Sequence, residues 1–110
     1  MIVYIHPKCT TCKNAMKFLQ SRQCVVKDIT TTPPSRAELE RMLKFYNGNI
    51  RKLFNTSGQL YRELGLATKT LSDDEALQML SENGMLVKRP FLIGGDIGLV
   101  GFNEAAWKTL

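Results

Sequence analysis

Five apolar residues, Met1-Ile2-Val3-Tyr4-Ile5, lead through His6-Pro7-Lys8 into Cys9-Thr10-Thr11-Cys12, and a helical pattern starts at the second cysteine. That junction constrains the chain more than any other stretch. The apolar run has the length and β-branched content of a strand, and its lack of alternation predicts a strand covered on both faces. Cys12, Ala15, Met16 and Leu19 then recur with the spacing of one helical face, while Lys13, Lys17 and Gln20 take the other. Cys9 is thereby placed where a strand ends and a helix begins.

The position has a chemical consequence. First-turn amides of a helix are unpaired and the helix dipole is positive there, so a thiolate at Cys9 is stabilised. Lys8, Lys13 and His6 are expected to add positive potential, which makes Cys9 the candidate low-pKa nucleophile. Cys12 follows one turn later, within reach to resolve a mixed disulfide on Cys9. A Cys-x-x-Cys at a strand-to-helix junction is a redox signal. The alternatives are a zinc half-site and two inert buried thiols. Zinc needs further ligands, and the chain offers only Cys24 and His6, with no second closely spaced pair.

With 110 residues, 44% of them hydrophobic, the chain is expected to form one domain with a real core. Three cysteines, two of them in one motif, do not make the framework of a small secreted protein, and a reducing cytoplasm is expected. The chain opens directly in a strand, no apolar run reaches the length of a membrane span, and no membrane association is expected. The net charge is +5, from 15 Lys and Arg against 10 Asp and Glu. Lys8, Lys13, Lys17, Arg22 and Lys27 against Asp28 put the excess around the cysteine motif, as suits an anionic substrate such as glutathione or an oxyanion. No basic run interleaved with aromatics points to direct nucleic-acid binding.

Cys24 to Thr30 is a second strand candidate, parallel to the first through a right-handed crossover, with Cys24 expected as a small buried hydrophobe. Residues 32–87 read as a helical insertion between sheet segments 1–31 and 88–110. Ser35 with Glu38 and Ser72 with Glu75 form capping boxes. The first opens a helix with Leu39, Met42, Leu43 and Tyr46 on one face, and the second a helix that buries Ala76, Met79 and Leu80, with Leu77 beside them, and closes at Asn83-Gly84. Shorter helical pieces are expected at 49–55 and 57–64. Phe91-Leu92-Ile93, the turn Gly94-Gly95-Asp96 and residues 97–101 read as a hairpin, and Asn103 caps a last helix with Ala106, Trp107 and Leu110 on one face.

Before the hairpin stands Lys88-Arg89-Pro90. A proline entering a strand is a candidate for a cis bond, with backbone ahead of it free for an incoming peptide, and Arg89 is an always-charged, fork-shaped donor suited to an anionic site.

Tyr4 to Asn14, Pro33 to Leu39, Phe54 to Gly58, Tyr61 to Gly65, Lys88-Arg89-Pro90 and Val100 to Glu104 together resemble the ArsC family, which includes glutaredoxin-coupled arsenate reductases and Spx-type transcription regulators. The resemblance implies an α/β fold, a thioredoxin-like mixed four-stranded sheet with a helical insertion, and a cis peptide before Pro90. It implies Cys9 as nucleophile and Arg89 as its partner. Of the two further oxyanion-binding arginines of the reductases, one is matched by Asn55 and the other falls in residues 98–102, which hold no arginine; Arg51 lies one helical turn before Asn55 and is the substitute considered. The Spx-type regulators are similar at Cys9, Cys12 and Arg89, carry a longer C-terminal tail and act through RNA polymerase.

The function expected is that of an enzyme, a thiol-disulfide oxidoreductase using the Cys9–Cys12 pair. Arg89 joins the pair as a candidate catalytic residue, and Lys8, Pro90, Asn55 and Arg51 are the candidate substrate-binding residues. Glutathione, glutaredoxin or thioredoxin is the expected reductant, with no metal or organic cofactor and a monomeric state. Arsenate reduction and redox-controlled RNA polymerase binding are the alternatives.

Overall fold

The computed structural model describes residues 1–19 and 22–110; Gln20, placed above on the polar helix face, lies outside the described residues. Strand β1 (Ile2–Ile5) lies inside a mixed sheet of four strands. On one side β2 (Val25–Asp28) runs parallel to it, in register from Ile2 with Val25 to Ile5 with Asp28. On the other, β3 (Phe91–Gly94) is antiparallel and forms a hairpin with β4 (Ile97–Val100), giving the order β2-β1-β3-β4.

Helices cover both faces. The two central residues of β1 divide between them, as the two-residue period of a strand requires. Val3 and Leu92 pack with Ala15, Leu19 and Trp107, from α1 (Thr10–Met16), the 3₁₀ turn Lys17–Leu19 and α5 (Glu104–Trp107). Tyr4, Phe91 and Ile93 pack with Leu39, Met42, Ala76, Leu77 and Leu80 of α2 (Arg36–Phe45) and α4 (Asp73–Glu82). Tyr4 meets Phe91 edge to face, with ring centroids 5.8 Å apart. A 3₁₀ turn, Ile50–Leu53, and the short α3 (Gln59–Glu63) join α2 to α4. No helix among the described residues is long and apolar enough to cross a membrane.

Local chemistry explains where these elements start. Ser35 and Ser72 each accept from the backbone of a glutamate three residues on, whose carboxylate returns the bond, so both capping boxes are complete. Asn103 caps α5. Glu38 does more than cap: its Oε1 accepts from Ser35 N–H at 2.9 Å and from the Tyr4 hydroxyl at 2.7 Å, tying α2 to the middle of the sheet.

Two expectations need correction, at Cys24 and in α4. Asn83-Gly84 closes α4 as expected, with Asn83 as C-cap, and Gly84 then opens a 3₁₀ turn, Gly84–Leu86, where a Cβ would stand 1.9 Å from the Ile29 carbonyl oxygen. The glycine is demanded by close backbone approach, not by conformation. Cys24 is half-buried, because β2 is an edge strand with Val25 and Val26 both exposed. In α4, Leu77 is buried while Met79 only flanks the core.

At the other edge, Gly101 takes φ 71°, donates its N–H to the Pro90 carbonyl at 2.9 Å and accepts Trp107 Nε1–H at 3.1 Å. The Tyr46 hydroxyl accepts Val100 N–H at 2.9 Å. The segment entering β3 is therefore held from the far end of the chain.

Candidate active site

Cys9 is the N-cap of α1, with extended backbone, and its sulfur accepts the Cys12 N–H at 3.3 Å. A cap normally carries an oxygen; here a thiol takes that role, so the bond that starts the helix also favours the thiolate. Burial opposes ionisation of Cys9, yet the thiol and backbone of Cys12 donate to its sulfur and the Arg89 guanidinium adds its charge, so the net pKa is lowered. Cys12 goes the other way. Fully buried beneath α1, it is pushed up to about 11 by burial, with the sulfur of Cys9 adding to the rise and the backbone of His6 and the charge of Arg89 opposing it. One half-buried thiol with a lowered pKa thus stands beside one fully buried thiol with a raised pKa.

Arg89 precedes Pro90 through a cis peptide bond. Its Nη1 is buried and, among the described residues, has no hydrogen-bond partner. The isolated antiparallel bridge between Phe54 and Val87 brings the segment carrying Asn55 alongside the one carrying Arg89. Both side chains line a groove of about 270 Å³ with Gln59, Leu60, Glu63 and Met85. The Pro90 carbonyl is occupied by Gly101 and Lys88 N–H is bonded to Leu53, which leaves Arg89 as the residue of this stretch whose backbone joins no hydrogen bond among the described residues.

A model of the ArsC family matches residues 4–110. The chain belongs to the ArsC family. It is 41% identical over 105 residues to the uncharacterized protein YusI of Bacillus subtilis, covering 92% of this chain and 89% of that one. It is 28% identical to the global transcriptional regulator Spx of Streptococcus mutans, over 93% of this chain and 76% of the regulator. It is 32% identical to an arsenate reductase of Rhizobium meliloti, over 83% of this chain and 66% of the reductase. The crystal structure of an ArsC family related protein from Bacteroides fragilis superposes with a TM-score of 0.90, over 98% of this chain and 94% of that one, at 33% identity. The thioredoxin-like mixed sheet is thus the fold of the family.

Against the ArsC pattern, the structure gathers Cys9, Cys12 and Arg89 at one place and puts Asn55 in the groove that Arg89 lines. It does not bring Arg51 there. Arg51 Nη1 donates to the Tyr61 hydroxyl at 2.8 Å and borders a separate pocket, with Phe54 and Tyr61, that shares no lining residue with the Arg89 groove. A substitute one helical turn before Asn55 requires α-helical pitch, but Ile50–Leu53 is a 3₁₀ turn and the chain is extended at Phe54, so residues four apart do not share a face. Lys8 is exposed in the turn after β1, and Lys13 is exposed on α1, whereas the cation that lowers the Cys9 pKa is Arg89. Lys8 contributes only its N–H, given to His6 Nδ1 at 3.0 Å. Cys24 precedes Val25, which pairs with Ile2, whereas Cys9 follows Ile5, so a strand's length separates it from Cys9 and Cys12. Gln59 and Met85 carry no sequence signal of a site, and the packing of α3 against the turn Gly84–Leu86, beside the Phe54–Val87 bridge, brings them there with Glu63.

Proposed function

We propose that this ArsC-family protein is a thiol-disulfide oxidoreductase of a reducing cytoplasm, with Cys9 as nucleophile and Cys12 as resolving thiol. The observation that carries this reading is the asymmetry of the pair: the Cys9 sulfur receives the Cys12 N–H and the charge of Arg89, while the Cys12 sulfur is fully buried one turn on. The Cys9 thiolate attacks one sulfur of a substrate disulfide, the sulfur–sulfur bond breaks, and the departing thiolate takes a proton from solvent. Cys9 is then neutral in a mixed disulfide, so it no longer raises the pKa of Cys12, while Arg89 still lowers it. Cys12 gives its proton to water and attacks Cys9; the second substrate thiol leaves, and two electrons have passed from the pair to the substrate. Glutathione, glutaredoxin or thioredoxin reduces the Cys9–Cys12 disulfide again, without a metal or organic cofactor. Arg89 steadies the charged sulfur, and the groove with Asn55 and Met85 receives the retained half of the substrate.

The test uses glutathione disulfide and intact-mass measurement. Cys12→Ser should accumulate one glutathionyl adduct on Cys9, Cys9→Ser none, and the unaltered protein an internal disulfide. Adduct formation on Cys9→Ser at the full rate would overturn the assignment.

The buried, unpartnered Arg89 Nη1 favours one alternative, arsenate reduction, since a guanidinium with a vacant donor suits an oxyanion. Arsenate turnover with glutathione and glutaredoxin decides for it. Copurification with RNA polymerase that depends on the oxidation state of the pair would favour a role like that of the Spx relative instead.

A further inference from the structure

We propose that the open edge of β2, together with the basic groove beside it, docks an acidic extended peptide segment of a partner protein, which joins the sheet as an added strand. The edge is set by the hydrogen bonds on its other side. Val25 N–H is bonded to the Met1 carbonyl and Ile29 N–H to the Ile5 carbonyl, both at 2.9 Å. In a parallel pair alternate residues face the neighbour, so positions 25, 27 and 29 turn their backbone to β1 and positions 24, 26 and 28 turn theirs away. The Asp28 carbonyl is taken by Thr31 and Thr32 N–H. The N–H and carbonyl of Val26, the Asp28 N–H and the Cys24 carbonyl remain on the open side, and β2 has no second neighbour among the described residues.

The side chains leave this edge bare. Val25 and Val26, on opposite faces, are 57% and 47% exposed. Edge strands are ordinarily blunted by a charged side chain. The lysine of this strand, Lys27, instead lies inward with Nζ 5.7 Å from the Tyr4 ring centroid.

Charge selects the occupant. Beside the edge runs a groove of about 390 Å³ lined by Lys13, Lys17, Arg22, Met16, Cys24 and Val26, with no carboxylate among its lining residues. Asp28, on the same side of the strand, is committed to the N–H and hydroxyl of Thr30. A strand alternating apolar and acidic side chains meets both the Met16–Val26 surface and the cations, with backbone bonds supplied by Val26 and Asp28. No aromatic side chain lines the groove to stack a base, which disfavours single-stranded nucleic acid, and two such basic edges repel one another, which disfavours a second copy. The surface stands apart from the groove of Arg89 and does not depend on the redox chemistry.

The probe is an acetylated, amidated peptide of about seven residues alternating valine and glutamate, about a strand's length. It is added to the full chain while backbone amide exchange is followed by NMR. Exchange at Val26 and Asp28 should slow by about tenfold, with added salt reversing the effect. The same peptide with lysine for glutamate should leave these amides unchanged, as should the acidic peptide with Lys13→Glu/Lys17→Glu protein. Val26→Pro removes an outward N–H that β1 does not use, so it should abolish protection at Asp28 while the sheet persists. Unchanged exchange with the acidic peptide, equal protection by the lysine peptide, stronger protection by a single-stranded oligonucleotide, or protection that appears with protein concentration alone would each overturn the assignment.

Discussion

Phe54 and Val87 form an isolated antiparallel bridge, flanked by Asn55 N–H on the Leu86 carbonyl at 2.7 Å and Lys88 N–H on the Leu53 carbonyl at 2.8 Å. This pairing seats the loop before α3 against the chain that leads into β3, and so sets the spacing of Asn55 and Arg89. A second guanidinium placed at 55 would enter the groove that Arg89 already lines. Asn55→Arg is expected to bind inorganic sulfate about tenfold more tightly than the unaltered protein, in line with a charge-assisted hydrogen bond, as read by titration calorimetry.

The Arg89 guanidinium lowers the Cys9 pKa. In Arg89→Gln the midpoint of Cys9 alkylation against pH should rise, and the rate below that midpoint should fall. Lys8→Gln should leave the midpoint in place. Rates from iodoacetamide labelling with mass detection check both.

Cys12 carries a pH dependence of opposite sign. Its folded-state pKa is raised to about 11, above the free-thiol value of about 8.5. The folded state therefore holds this proton more tightly, and the stability it contributes, complete below about pH 8.5, is lost as pH rises towards 11. Urea midpoints of the reduced protein should fall over that window, and Cys12→Ala should show a flatter profile.

Tyr4→Phe removes the hydroxyl that Glu38 accepts at 2.7 Å, within a buried core. A loss of about 1.5 kcal/mol is expected at neutral pH, the lower end for a hydrogen bond to a charged group. Burial alone would raise the Glu38 pKa, but its bonds from Ser35 and Tyr4 lower it. That contribution is present above the ordinary carboxylate range and lost as pH falls through the folded value, so the gap between variant and unaltered protein should narrow in acid.

Two glycines separate sterics from conformation. Gly84→Ala drives a methyl into the Ile29 carbonyl, and about 3 kcal/mol of destabilisation or failure to fold is expected. At Gly48, with φ 79° and open space around it, alanine should cost only about 1 kcal/mol. Chemical denaturation of the two variants tests the contrast.

What was legible in the chain was what local chemistry decides. Ser35, Ser72 and Asn103 cap the helices that their spacing announces, and the run through Ile5 becomes a strand buried on both faces because Val3 and Tyr4 each meet a helical layer. What depended on long-range pairing was not legible. Arg51 and Asn55 part company because a 3₁₀ turn replaces an α turn, Gly84 makes room for the Ile29 carbonyl in the turn after β2, and a cation beside Cys9 comes from residue 89, distant in sequence. The openness of β2 likewise follows from its place in the sheet order, which its own residues do not encode.

Gly101 is gripped on both sides, by Pro90 through its N–H and by Trp107 through its carbonyl. The closing helix, which carries none of the candidate site residues, therefore acts as a brace: its indole fixes Gly101, Gly101 fixes the residue after Arg89, and the guanidinium inherits that rigidity. Reactivity at the first cysteine can in this way be retuned by repacking a tryptophan at the opposite end of the polypeptide, with no change to any group that meets the substrate.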